Sequence, residues 1–248
     1  MGAGAEVHSR VILLQSGAAN RFRRMQGARS LKTMSVSEAV ERRRSVRAFL
    51  PTPIDPGLVA DVLRKALRAP SGGNLQPWRL YVVNGASMAR FQELMARRVA
   101  ENPVGEPPEY AVYPPSLKEP YRTRRFAVGE AMYERLGIPR SDRLARGRWF
   151  QNNDRFFGAT AGLFCFVDRV MGPPQWSDLG MFLQTAMLLF QERGVDTCAQ
   201  EAWSRWHETV SRFVGAPKEL MLFCRHGHWS RGPRRAGERA QDGARRPR

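Results

Sequence analysis

Between Glu41 and Phe49 the chain reads Glu-Arg-Arg-Arg-Ser-Val-Arg-Ala-Phe, which places four arginines and a serine within six residues. Guanidinium groups present planar forks of N–H donors that match phosphate oxygens, and a hydroxyl adds one more donor. Arg43 and Arg44 are expected as neighbours on a helix. Ser45 and Arg47 then fall where the helix ends and the chain extends toward Pro51 and Pro53, which force it out of helix. From these positions the side chains could converge on one anion from different directions. The same cluster also suits a solvated basic helix end beside the helix's negative pole.

A second stretch, Ala69-Pro70-Ser71-Gly72-Gly73-Asn74-Leu75-Gln76-Pro77-Trp78, joins a helix to the apolar run Leu80 to Val83. Its small residues let backbone approach a flat ligand, and amide side chains and a rigid turn follow. Arg-Arg-Ser-x-Arg, with Pro-Ser-x-x-Asn-x-Gln-Pro-Trp about 25 residues later, resembles the FMN-dependent nitroreductase family over roughly Ser35 to Cys224.

That resemblance implies an α+β fold, a nitroreductase-like three-layer sandwich with a mixed β-sheet covered by helices on both faces. It also implies FMN at a homodimer interface. By position, Arg43, Arg44, Ser45 and Arg47 match residues that contact the phosphate, ribityl chain and pyrimidine edge. Pro70, Ser71 and Asn74 match the loop beside the isoalloxazine, with Gln76 supporting it, and Gln200 and Glu201 match the segment whose backbone N–H approaches flavin N5. No protein acid or base is implied as catalytic, because the flavin carries the redox chemistry. NADH or NADPH passes hydride to the flavin and leaves, and a nitroaromatic or quinone takes its place in ping-pong fashion. A flavin-dependent dehalogenase or flavin-fragmenting enzyme of the same fold would share these motifs and differ over residues 101–150.

The chain departs from the family pattern twice. Ala199 stands where the family often has proline, so that loop is expected to be less rigid. After Cys224 the sequence turns to Arg-His-Gly-His-Trp-Ser-Arg-Gly-Pro-Arg-Arg, without the family's Gly-Met-Ala segment or its late Leu-Arg-Thr/Ser-Glu-Arg segment. A one-base skip through suitable codons for residues 225–248 restores both, which suggests a frameshift; an ordinary arginine-rich disordered tail is the alternative. The missing phosphate-binding arginine would weaken FMN by roughly ten- to a hundredfold, so the chain as written is expected to hold it poorly.

The elements that must position these residues are legible from patterning. Ser35-x-x-Glu38 is a capping box, and Asp55-Pro56 starts a helix whose Leu58, Val59, Val62, Leu63, Ala66 and Leu67 share a face. Ser87 is expected to cap a helix through Val99. Residues 101–124 form a Tyr- and Pro-rich loop in which Tyr110, Tyr113 and Tyr121 either face an aromatic substrate or pack locally. A polar helix follows to Leu136. Gly162 to Asp168 reads as a central strand, Ser177-Asp178 as the cap of a buried helix ending at Gly194, and Leu220 to Cys224 as the last strand.

The 248 residues suit one domain, taken as 34–224, and carry a formal charge of +17. Residues 1–33 hold +5 and residues 225–248 hold +6, leaving the body only +6. A nucleic-acid binder would instead need a continuous basic surface with exposed aromatics. Residues 1–33 are expected to be disordered or a non-native extension, with Met34 the more natural start. Cys165, Cys198 and Cys224 lack Cys-x-x-Cys spacing, which fits a reducing cytoplasm, and His226 and His228 lack the further ligands a metal needs. His207 is read as structural. The apolar run Met181 to Phe190 is about half the roughly 20 residues of a membrane span.

Overall fold

The computed structural model describes residues 12–14 and 34–226. Expectations for residues 1–11, 15–33 and 227–248, including most of the altered tail, lie outside them. In chain order the elements are β1 (Ile12–Leu14), α1 (Val36–Arg42), α2 (Pro56–Ala66), β2 (Arg79–Asn84), α3 (Gly85–Glu101), α4 (Tyr121–Arg135), α5 (Arg143–Phe150), β3 (Ala161–Asp168), α6 (Pro173–Glu192), β4 (Ala199–Gln200), α7 (His207–Val214) and β5 (Leu220–His226). Short 3-10 turns cover Gly72–Asn74, Gln151–Gly158 and Ala202–Trp206.

The sheet order is β1-β2-β3-β5-β4, and each of these ladders is antiparallel. Parallel pairing enters through the isolated bridge of Ser45 with Thr197. Ile12–Leu14, expected to lack structure, instead pairs with Val82 to Leu80, because the edge of β2 offers unpaired backbone groups to an apolar run.

Side chains alternate across the sheet, so each face buries its own half of the core. On one face Leu80, Val82, Leu163, Cys165 and Val167 pack against α2 and α6. On the other, Tyr81, Val83, Phe164 and Phe166 meet α3, α7 and the turns at 151–158 and 202–206. Phe91 lies at the centre of that second layer, with ring centroids 5.4 Å from Phe156, 5.4 Å from Phe164, 5.5 Å from Trp203 and 4.8 Å from Phe213.

Several local expectations shift. Helix α1 has the capping box on Ser35 and Glu38 but ends at Arg42, with Arg43 as its C-cap at ψ 126°, so Arg43 and Arg44 are not helical neighbours. The cause is tertiary: the N–H of Val46 donates to Thr197 O at 3.1 Å and draws the chain into extended form. Helix α3 begins at Gly85 with Asn84 as N-cap, and Ser87 is the third helical residue, its hydroxyl accepting the Asn84 N–H at 3.0 Å. Helix α6 begins at Pro173, four residues before Ser177, because two prolines after Gly172 are preset for a first turn. Among the described residues no helix is long and apolar enough to cross a membrane.

Candidate functional site

Three segments singled out in the sequence are linked to one another or to α6. The Ser45–Thr197 bridge lays the arginine segment beside the strand that leads into Gln200 and Glu201. Helix α6 packs on α1 from one side and on the 72–74 turn from another. From α6 the buried Asp178 accepts the Gly72 N–H with both carboxylate oxygens, at 3.3 and 3.2 Å.

The arginine segment is open to solvent and lightly tied down. Arg43, Ser45 and Arg47 are half-buried and Arg44 is exposed. Arg47 Nη1 donates to Ser45 O at 3.2 Å, and neither Arg43 nor Arg47 pairs with a described carboxylate. Two charges without counter-ions, next to a serine and an extended backbone, make a donor set suited to an anion.

The 70–76 turn is backbone-strained. Gly73, Asn74 and Gln76 have φ of 57°, 56° and 48°, left-handed values that cost a non-glycine residue roughly 1–2 kcal/mol each. Local hydrogen bonds hold them there. Ser71 Oγ accepts the Gln76 N–H at 3.0 Å, Ser71 O accepts the Asn74 N–H at 2.9 Å, and Gln76 Nε2 donates to Asn74 Oδ1 at 2.8 Å. Pro70 and Asn74 are exposed and Ser71 and Gln76 half-buried, so the turn is a preformed edge. Together the phosphate-type donors and this polar edge fit a planar, anionic group such as FMN.

Gln200 is committed to structure. Its buried side chain donates to Asn153 Oδ1 at 2.7 Å and to Asn153 O at 3.2 Å, and accepts from Trp203 Nε1 at 3.3 Å, so the side chain is committed to the protein rather than to a ligand. Glu201 stays exposed by area, yet protein atoms crowd its carboxyl enough that burial pushes its pKa up.

The loop tyrosines divide. Tyr110 packs locally: its hydroxyl donates to Phe223 O and its ring lies 5.9 Å from that of Trp176. Tyr113 sits beneath Arg125, 3.9 Å from the guanidinium carbon, and Tyr121 is exposed at the start of α4. A separate cavity of about 370 Å³ between α4 and α5, lined by Glu130, Glu134, Arg140 and Arg146, contains none of the expected site residues. Its Glu130 is already held by both Arg146 Nη atoms, at 2.6 and 3.1 Å.

The sequence also concealed supporting residues. Asp178 looks like a helix cap, and Asn153, Asp154 and Arg205 sit in no local motif; their partners lie about 50 to 106 residues away.

A sequence model of the Nitroreductase family matches residues 40–228. The nitrobenzene nitroreductase of Ectopseudomonas oleovorans is 37% identical over 187 residues, 75% of this chain and 82% of that protein. The 4-nitrobenzoate reductase of Pseudomonas putida is 34% identical over 195 residues, covering 79% and 85%. Among solved structures, the FMN and NADPH-dependent nitroreductase NfnB from Sphigopyxis sp. strain HMH superposes with a TM-score of 0.79 at 44% identity, covering 86% of this chain and 94% of that one. On this match to the family model and to these relatives, the chain belongs to the nitroreductase family.

Proposed function

We propose that this protein is an FMN-dependent nitroreductase that takes electrons from NADH or NADPH and reduces a nitroaromatic or quinone, donor and acceptor using the site in turn. The observation that carries the reading is that Arg43 and Arg47 face no described carboxylate in a segment bridged at Ser45 to the strand leading into Gln200 and Glu201, while α6 contacts both α1 and the strained 70–76 edge. Relatives aligned with 75% to 86% of the chain carry nitroreductase activities in their names.

In this reading Arg43, Arg44, Ser45 and Arg47 bind the phosphate and polar edge of FMN. Pro70, Ser71 and Asn74 flank its ring system, with Gln76 holding Asn74 in place through their 2.8 Å contact. The backbone at Gln200 and Glu201 offers an N–H toward N5. When bound, FMN supplies two-electron transfer between a nicotinamide and a nitro group. The chain's part is to orient both partners and to hold positive charge near the flavin's pyrimidine edge. We further propose a cytoplasmic homodimer. Val36 and Val40 on α1 and Met181 on the adjoining α6 are exposed apolar residues that a second copy would cover, and Cys165 and Cys198 are buried and form no disulfide.

The test is a fluorescence titration of FMN, which reads weak binding where colour after dialysis would not. Wild-type protein quenches FMN saturably. Arg43→Ala and Arg47→Ala each weaken the affinity roughly ten- to a hundredfold, the worth of one charge-assisted hydrogen bond. Anaerobic NADPH then bleaches the bound flavin, and nitrobenzene restores its colour. Absence of saturable quenching, or affinities unmoved by both substitutions, overturns the proposal.

A further inference from the structure

Residues 103–154 leave the body and return to it, carrying α4 and α5 between two roots. Neither helix has a buried residue, and the excursion's contacts with the body gather toward its ends: buried Glu106 and half-buried Tyr110 on the outgoing side, and Trp149 of α5, half-buried against the second core layer, on the returning side. Both roots meet at one side chain. Arg205 Nη1 donates to the carbonyls of Pro103 and Val104, at 3.4 and 3.3 Å, on the outgoing root. Arg205 Nη2 donates to the buried Asp154 at 2.5 Å on the returning root, and the guanidinium carbon lies 5.2 Å from the ring centroid of Phe150, the last residue of α5.

The surroundings reinforce the clasp. The Arg205 carbonyl accepts the Glu106 N–H at 2.7 Å, and a Cβ on Gly105, whose φ is 91°, would sit 2.7 Å from that same oxygen. Asp154 Oδ1 also accepts from Trp206 Nε1 at 3.0 Å. On the returning root Phe156 and Phe157 hold left-handed backbones, φ 58° and 52°, a strain that persists only where neighbours over-determine it. Asn153, next to Asp154, is the residue that holds Gln200. The clasp therefore lies one contact away from the Gln200–Glu201 backbone.

We propose that Arg205 is a positioning residue that sets acceptor specificity by fixing both roots of the 103–154 excursion relative to the Gln200–Glu201 segment. This rests on the nitroreductase reading above. The planar fork is what the task requires, since two carbonyls and a carboxylate must be met from different directions, and a lysine reaches only one root at a time.

Two variants test this. Arg205→Lys keeps the charge without the fork, and Asp154→Asn breaks the ion pair while retaining an oxygen for Trp206. Hydrogen–deuterium exchange over residues 111–150 is expected to accelerate in both, with FMN affinity by titration within about twofold of wild type. The ratio of kcat/KM for nitrobenzene to that for 4-nitrobenzoate should move about tenfold through KM, the scale on which misplaced contacts act. If both variants bind FMN as wild type does and leave exchange and acceptor ratio unchanged, the clasp proposal fails and the functional reading stands. If wild-type flavin is not bleached by NADH or NADPH, the functional reading fails and takes the specificity claim with it.

Discussion

Asp178 illustrates how a single carboxylate organises a turn it does not belong to. It is buried on α6, and its two contacts to the Gly72 N–H anchor the first residue of the strained 72–76 edge. Asp178→Ala is expected to cost about 1–3 kcal/mol, read as a shift in urea midpoint, and to weaken FMN in the same titration. Glu201 gives a second, pH-dependent case. Burial raises its folded-state pKa, so the folded protein favours the protonated carboxyl, and stability falls as pH rises from the ordinary value of 4.5 through the raised one. Glu201→Gln should therefore melt higher than wild type at pH 8, with the gap closing below pH 4.5. Residue types were readable in the sequence: the arginines, Ser71, Asn74 and Gln76 all carry local patterns. Asp178 reads as a cap in the sequence because its partner Gly72 is 106 positions away.

At the scale of elements, patterning located helices better than it located their ends. The Asp55 cap of α2, whose Oδ1 accepts the Gly57 N–H at 2.9 Å, depends on neighbours and was visible. The end of α1 was not, because the bridge to Thr197 that draws Ser45 into extended form is made across the fold. The same holds for the excursion's roots. Residues 101–124 read as a loop, but nothing local showed that Gly105 must pass against Arg205 O. Gly105→Ala combines a left-handed φ with that close approach and should cost about 1–3 kcal/mol or more, with faster proteolytic nicking of residues 111–150 as the local signature. A melting temperature and digestion rate equal to wild type would contradict this.

Across the whole molecule, the sheet divides the interior into two apolar layers whose membership follows the two-residue period of β2 and β3. That division was legible, since Leu80 to Val83 and Gly162 to Asp168 are apolar on both faces. The strand order and the antiparallel sense were not, as neither leaves a mark in composition. Phe91 is the test of the second layer. Fully buried among four aromatic rings, Phe91→Ala is expected to lose about 3–5 kcal/mol in equilibrium unfolding, provided the variant folds at all.

The far end of β5 has neighbours on both flanks: Arg225 is registered against Phe164 and Gln200, and His226 against Leu163 and Ala199. Such zippering is written in amide and carbonyl groups, which every amino acid but one carries in full, so these two places are indifferent to the genetic text that fills them. Proline is the exception. The tertiary amide of a proline at 225 or 226 would strip a donor from the seam and unfasten the short ribbon that ends at Gln200, with the two apolar layers left in place.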